Sequence, residues 1–260
     1  MIKIGLIGFG KAGQSVAQIL LDDDRFQLCW IARHTAEAQA HLPGRPEVPF
    51  LGLSKDTISS WLDQHPVDAL VDFSHADAIE IYGPQIERRH ISLVSAISAY
   101  TDQQLHYIQE LGRHARVLCS PNITLGINFL MMSCRLLRSI APFADVEIIE
   151  QHFREKPEVS GTARKIAQSL SIEAEHITSL RVGGIVGHHE VIFGFPHQTV
   201  RLIHDSIRRE AFGTGAAFAL SELVKCPWGV YSFDDLLMKK IRSELLASGP
   251  GSPAAQVSGT

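Results

Sequence analysis

The densest chemistry in this 260-residue chain lies in one stretch, Glu147 to Ala163, which reads EIIEQHFREKPEVSGTA. It begins as an apolar strand, passes through a charged loop and enters a helix at Ser160-Gly161-Thr162. Small residues at a helix start leave backbone N–H groups free. With the Ser and Thr hydroxyls they form a site for a carboxylate or phosphate. His152 is a proton donor suited to neutral pH. Lys156, four residues on, can hold an anionic substrate or assist protonation. A histidine alone is more often a half-buried structural residue. Its neighbourhood with Lys156 and Ser-Gly-Thr points instead to acid catalysis on an anion.

The second chemical signal is Gly8-Phe9-Gly10-Lys11-Ala12-Gly13, a GxGxxG placed after an apolar run and before a helical pattern. Gly8 allows the tight turn, Gly10 lets backbone approach a pyrophosphate, and Gly13 lets helix pack on strand. The helix N-terminus then faces the phosphate charge. The next strand ends Ile31-Ala32-Arg33-His34, without the acid that binds an adenosine ribose. Arg33 can pair with a 2′-phosphate in a bidentate way, and Lys11 can assist. The expected cofactor is NADPH, with NADH second.

These groups need a scaffold, and the hydrophobic pattern supplies one. Strands are expected at Ile2–Ile7, Phe26–Ala32, Ala69–Phe73, Leu93–Ala96 and Arg116–Cys119, with helical segments between them. One helix starts at Thr101, where Thr-x-x-Gln104 fits a capping box. Such alternation predicts an α/β fold, a doubly wound parallel sheet of Rossmann type. After Pro121 the pattern changes. A long helix is expected over Leu125–Ile140, then closely spaced strands at Val146–Glu150, Ile177–Val182, His189–Phe193 and Thr199–His204, as in a mixed sheet of an α+β C-terminal domain. Helices return at Phe212–Val224 and Phe233–Leu246. The expected division is a dinucleotide-binding domain over 1–123 with 213–246 returning to it, a substrate-binding and oligomerisation domain over 124–212, and a disordered tail over 247–260 rich in Gly, Pro, Ser and Ala.

Composition narrows the function classes. Net charge is −4 and no long basic run occurs, which argues against nucleic acid as a partner. No apolar stretch reaches membrane-spanning length. The opening MIKIGLIGFG lacks a basic region followed by a signal-type apolar segment, so the expected location is the cytoplasm. Cys29, Cys119, Cys134 and Cys226 are scattered, without a CxxC pair, and read as buried thiols. His188 and His189 are adjacent on an expected strand and face opposite sides, so they cannot share one ion. No metal is expected.

Glu150, His152, Lys156 and Ser160-Gly161-Thr162-Ala163 together resemble the dihydrodipicolinate reductase (4-hydroxy-tetrahydrodipicolinate reductase) family. Val71-Asp72-Phe73-Ser74 is similar to the family's Asp-Phe-Thr/Ser strand end. Ser120-Pro121-Asn122, with Gly126 and Asn128, is similar to its interdomain segment. Arg181 and Gly183 to His189 are similar to its Arg-x-Gly-x-Ile-x-Gly-x-His strand, and His204 and Arg209 to its His-x-x-x-Ser-Arg segment. The resemblance runs from Ile4 to about Leu237.

It implies hydride reduction of a conjugated cyclic imine bearing two carboxylates, in lysine and diaminopimelate biosynthesis, by a homotetramer. His152 and Lys156 are then catalytic, Ser160, Gly161, Thr162, Phe153 and Arg209 bind substrate, and Phe73, Ser74, Ser95, Ala96, Ser98, Ser120, Pro121 and Asn122 line the cofactor site. The chain departs from the family at three places. Phe153 stands where the family has a second histidine, so it is a position where substrate contact differs. The 157–159 loop is one residue shorter, and Ser95-Ala96-Ile97-Ser98-Ala99 replaces a Gly-Thr-Thr-Gly stretch. Two other readings fit the same residues: a reductase of this fold acting on a different imine or amino-acid-like substrate, and a non-catalytic NADPH-binding sensor.

Overall fold

The computed structural model describes residues 1–34, 41–42 and 44–247. In chain order the elements are β1 (Ile2–Ile7), α1 (Lys11–Leu21), β2 (Phe26–Arg33), β3 (His41–Leu42), β4 (Arg45–Gly52), α2 (Lys55–Gln64), β5 (Ala69–Asp72), α3 (Ile79–Arg89), β6 (Ser92–Ser95), α4 (Asp102–Leu111), β7 (Arg116–Cys119), α5 (Leu125–Ile140), β8 (Asp145–His152), α6 (Gly161–Leu170), β9 (Ile177–Arg181), β10 (Gly187–Phe195), β11 (Gln198–Ser206), α7 (Glu210–Leu223), β12 (Gly229–Tyr231) and α8 (Phe233–Ala247).

The first sheet has the order β12-β7-β6-β5-β1-β2-β4-β3. Every pair is parallel except the β3–β4 hairpin. Its strands read as near-continuous apolar runs because both faces are covered. Ile4 and Leu6 pack with Val16 and Leu20 of α1, Leu220 of α7 and Leu236 of α8. Ile7 and Trp30 pack on the other side with Ile58 of α2, Tyr82 of α3 and Ile108 of α4. The capping box at Thr101 and Gln104 is formed. This is the expected doubly wound sheet.

Three strands escaped the sequence pattern. β4 carries Pro46 and Pro49, which break the alternation and are tolerated near a sheet edge. β3 is two residues long, and β12 has three residues that pair with β7 from far along the chain. Ala247 closes α8, and the remainder of the 247–260 tail lies outside the described residues. Cys134 and Cys226 are buried, as expected. Cys29 and Cys119 are only half-buried, because each sits in a strand next to an open cavity.

The second sheet has the order β11-β10-β8-β9, antiparallel except for β8–β9. Its inner face packs on α5 and α6 through Ile148, Val191, Phe193, Leu130 and Ile166. Registers place His189 opposite both Glu150 and His204, and Gly187 opposite Ser206. The inner face therefore carries a row of polar groups beyond its apolar end. The outer face holds His188 against Asp205, with Leu180 and Ile203 exposed.

Candidate active site

Two cavities lie where the two sheets approach each other. One, of about 330 Å³, is lined by His152, Thr162, Gly187, His189, Ser206, Arg208, Arg209, Asn122 and Thr124, among others. The other, of about 390 Å³, is lined by Ala12, Phe73, Ser74, Ala96, Ser98 and Pro121, among others, at the carboxyl ends of the parallel strands. Ligands of open parallel sheets bind at this edge. Phe212, at the start of α7, lines both.

The glycine loop leads into the second cavity. Gly8 has φ +92°, a region that favours glycine, and a Cβ there would stand 2.6 Å from the Phe73 carbonyl carbon. A Cβ on Gly13 would stand 2.2 Å from the Gly8 oxygen, so α1 packs tightly on the turn. A Cβ on Gly10 would meet nothing within 4 Å. That open space lies at the N-terminus of an eleven-residue helix with no acid in its first turn. These features fit a bound pyrophosphate. Arg33 ends β2 with its guanidinium 5.0 Å over the Phe50 ring, and Phe9 meets Phe50 edge-on at 5.0 Å. Lys11 is exposed at the first helical position.

The remaining residues expected on the cofactor side divide into lining and support. Phe73, Ala96, Ser98 and Pro121 line the cavity. Ser74 lines it too, but its N–H and hydroxyl both donate to buried Asp72, at 2.8 and 2.6 Å. Tyr82 donates to the other Asp72 oxygen at 2.6 Å. Burial outweighs these bonds and pushes the Asp72 carboxyl up. Ser95 is fully buried beneath the cavity, 2.8 Å from the Tyr100 hydroxyl. Ser120 donates to the Asn122 carbonyl at 2.7 Å. Asn122 itself faces the first cavity, and Asn128 Nδ2 fixes the turn there through the Asn122 and Thr124 carbonyls, each at 2.8 Å.

The first cavity is built on the end of β8. His152 is buried, its Nδ1 hydrogen-bonded to Glu150 Oε2. A Cβ on Gly187 would stand 3.3 Å from His152 Nε2, so glycine leaves room for that nitrogen. Glu150 is fully buried and also accepts from Ser179 Oγ at 2.7 Å, from Arg181 Nη2 at 2.8 Å and Nη1 at 3.0 Å, and from the Ser160 N–H at 3.2 Å. Burial by itself would raise the carboxyl. The bonds from Arg181, Ser179, His152 and the Ser160 amide overcome it and hold Glu150 down at about 2.

His189 lies edge-on to His152, ring centroids 5.4 Å apart, with Nε2 2.8 Å from Ser160 Oγ. Burial foremost, then the nearby His152 and His204 rings, brings His189 down to about 4. It is neutral at physiological pH. Ser160 caps α6, its Oγ also accepting from the Ala163 N–H at 3.4 Å. Ser160 thus has both its N–H and its hydroxyl engaged inside the protein. The donors left for a ligand are the Gly161 and Thr162 N–H groups and the Thr162 hydroxyl. Gly161 opens onto solvent, since a Cβ there would meet nothing within 4 Å.

Lys156 and Phe153 stand outside this cavity lining. Lys156 is half-buried in the loop and its carbonyl accepts from Arg181 Nε at 3.0 Å. Phe153 is 41% exposed. Arg208 and Arg209 are exposed at the cavity mouth, and among the described residues neither has a carboxylate partner. Sequence reasoning gave no role to Glu150, Arg181 or His189. Glu150 had a signal: two residues before His152 on a strand, it shares that histidine's face. Arg181 and His189 had only their place in the strand similar to the family's, and the β9-β8-β10 pairing is what brings them to Glu150 and Ser160. Among the described residues no group of three His, Cys, Asp or Glu side chains is spaced to hold a metal ion.

Comparisons with known proteins agree along most of the chain. The family model for the dihydrodipicolinate reductase N-terminus matches residues 2–123, and that for its C-terminus matches residues 125–237. A 4-hydroxy-tetrahydrodipicolinate reductase of Thermosipho africanus is 29% identical over 238 residues, covering 91% of this chain and 98% of the relative. One of Caldanaerobacter subterraneus is 30% identical over 194 residues, covering 66% of this chain and 77% of the relative. The dipicolinate-bound dihydrodipicolinate reductase of Paenisporosarcina sp. TG-14 shares the fold, with TM-score 0.76 and 23% identity over 89% of this chain and 97% of that one. With a glycine loop facing one cavity, a Glu-His pair and a helix start facing the other, and both halves matched, this chain belongs to the dihydrodipicolinate reductase family.

Proposed function

We propose that this NAD(P)H-dependent oxidoreductase reduces a cyclic unsaturated imine dicarboxylate of the dihydrodipicolinate type, within lysine and diaminopimelate biosynthesis. The observation that carries the reading is His152 facing a cavity that also holds the α6 N-terminus, and that meets the cofactor cavity at Phe212. The dipicolinate held by the Paenisporosarcina relative carries two carboxylates on one ring, and donors lie at two places on this cavity, at Thr162 and at the Arg208-Arg209 pair. The Gly161 and Thr162 amides with the Thr162 hydroxyl take one carboxylate. Arg209, with Arg208 beside it, takes the other in bidentate fashion.

NADPH is the preferred cofactor, held by the Gly8–Gly13 loop and by Arg33, whose guanidinium Phe50 orients. When bound, the nicotinamide supplies hydride. The chain's own residues orient the imine, exclude water and deliver a proton from His152 Nε2. Lys156 reaches the substrate from the 153–159 loop and balances its charge. Residues 1–123 with 213–246 form the cofactor domain, and residues 124–212 the substrate domain. The outer face of the second sheet, with Leu180 and Ile203 exposed, is the assembly surface of a cytoplasmic homotetramer. Light scattering at micromolar concentration checks this last point, and a monomer there refutes it.

The deciding experiment is NADPH consumption with 4-hydroxy-tetrahydrodipicolinate generated in situ, for the native chain and His152→Ala. Native turnover should be lowered about 10²- to 10⁴-fold in the variant, the contribution of a positioned proton donor. No turnover by the native chain rejects the substrate. Native-like turnover by His152→Ala rejects the proton donor.

A further inference from the structure

Glu150 has no exposed surface, yet it is tied to three parts of the candidate substrate site. Its Oε2 meets His152 Nδ1, and its Oε1 accepts from the Ser160 N–H at 3.2 Å, one residue before α6 begins. Arg181 grips both carboxylate oxygens, at 2.8 and 3.0 Å. The same guanidinium donates from Nε to the Lys156 carbonyl at 3.0 Å and from Nη2 to the Glu158 carbonyl at 2.8 Å. The proton donor, the loop that carries Lys156 and the carboxylate-binding helix start are thereby referred to one buried charge.

An ordinary buried ion pair needs only the two charges. Here the arrangement has a chemical direction. With Nδ1 occupied by the carboxylate, the nitrogen left to face the cavity is Nε2, and Gly187 leaves room beside it, since a Cβ there would stand 3.3 Å away. A carboxylate on one nitrogen fixes the ring's tautomer and orientation, so that the transferred proton is carried on the other nitrogen. The second ring in the cavity, His189, has its Nε2 on Ser160 Oγ and, among the described residues, no carboxylate partner.

We propose that Glu150 is a positioning residue for the reduction: clamped by Arg181, it turns His152 Nε2 toward the substrate and holds the 153–159 loop and the α6 N-terminus in register with that nitrogen. This rests on the reading of His152 as proton donor. It adds two residues, Glu150 and Arg181, that touch neither substrate nor cofactor.

The test pairs kinetics with nuclear magnetic resonance of ¹⁵N-histidine-labelled protein, His152 being assigned by loss of its signals in His152→Gln. The native His152 ring should show a strongly deshielded proton on Nδ1, and Glu150→Gln should abolish it. In the same variant kcat with 4-hydroxy-tetrahydrodipicolinate should fall about 10- to 10³-fold, while the dissociation constant for NADPH stays within about twofold. A slow His152→Ala beside a Glu150→Gln at native kcat overturns the positioning role alone. A His152→Ala at native kcat overturns the donor reading and this inference with it. Should Glu150→Gln fail to fold, the native ring decides: a neutral His152 carrying its proton on Nε2 overturns the proposal.

Discussion

The rings of Phe73 and Phe212 lie 6.3 Å apart, one following β5 of the first sheet and the other opening α7, and Phe212 stands in the wall between the two cavities. Hydride transfer needs the reacting atoms within about 3 to 3.5 Å. The Phe212 ring is therefore expected to turn aside, changing its contact with Phe73, when both reactants are bound. Phe212→Ala is expected to leave NADPH affinity within about threefold. It should lower kcat by up to about 10²-fold, since the packing that registers the two ligands is lost. Steady-state kinetics with calorimetry checks this, and an unchanged kcat removes Phe212 from the wall between the reactants.

Cofactor choice should reside in Arg33. Charge-assisted hydrogen bonds to a phosphate contribute about 1.5 to 3 kcal/mol, or roughly one to two powers of ten in affinity. NADPH should bind more tightly than NADH by that factor, and Arg33→Asp should reverse the order. Phe50→Ala should weaken the preference without reversing it, because the ring only orients the guanidinium. Calorimetric titration showing equal affinities for the native chain would sink the assignment.

Acid should unfold the protein in two windows. His189 falls from 6.5 to about 4 in the fold, chiefly by burial. Its contribution is fully present above pH 6.5 and is lost as pH falls toward 4, because the unfolded chain binds that proton first. Glu150 falls from 4.5 to about 2, the bonds led by Arg181 outweighing burial. Its contribution is present above pH 4.5 and is lost as pH falls toward 2. At about 1.4 kcal/mol per unit, each is on the order of 3 kcal/mol. Urea denaturation at pH 7.5, 4 and 3 should show the first loss diminished in His189→Gln and the second diminished in Glu150→Gln. Variants with the native pH dependence would refute the two assignments.

Phe153 occupies the position of the family's second histidine, and the structure leaves it on the loop, largely outside the cavity. Phe153→His is therefore expected to keep turnover of 4-hydroxy-tetrahydrodipicolinate at or above the native level. A drop of tenfold or more in kcat/KM would mean that Phe153 packs on the bound substrate, and that the natural substrate is less polar.

The chain announces much of this by itself. Gly8, Gly10 and Gly13 are legible because a pyrophosphate turn demands glycine at fixed spacing in consecutive residues. The strand–helix alternation up to Cys119 is legible because apolar periodicity is local. His152, Thr162 and the start of α6 are legible because fifteen or so neighbouring residues carry the whole motif. What the tertiary structure decided lies in pairings between distant segments. The parallel β8–β9 register puts Ser179 and Arg181 on Glu150, and the antiparallel β8–β10 register sets His189 over Ser160. These contacts turned Ser160 from a free ligand donor into a structural cap, placed Ser95 beneath the cofactor cavity with Tyr100, and left Lys156 and Phe153 outside the lining of the His152 cavity. The two prolines hid β4, and the length of β12 hid its pairing with β7. Local patterns fix which residues can do chemistry, but hydrogen-bond partners depend on strand register. Register is chosen by burial over the whole sheet, which no short window of sequence contains.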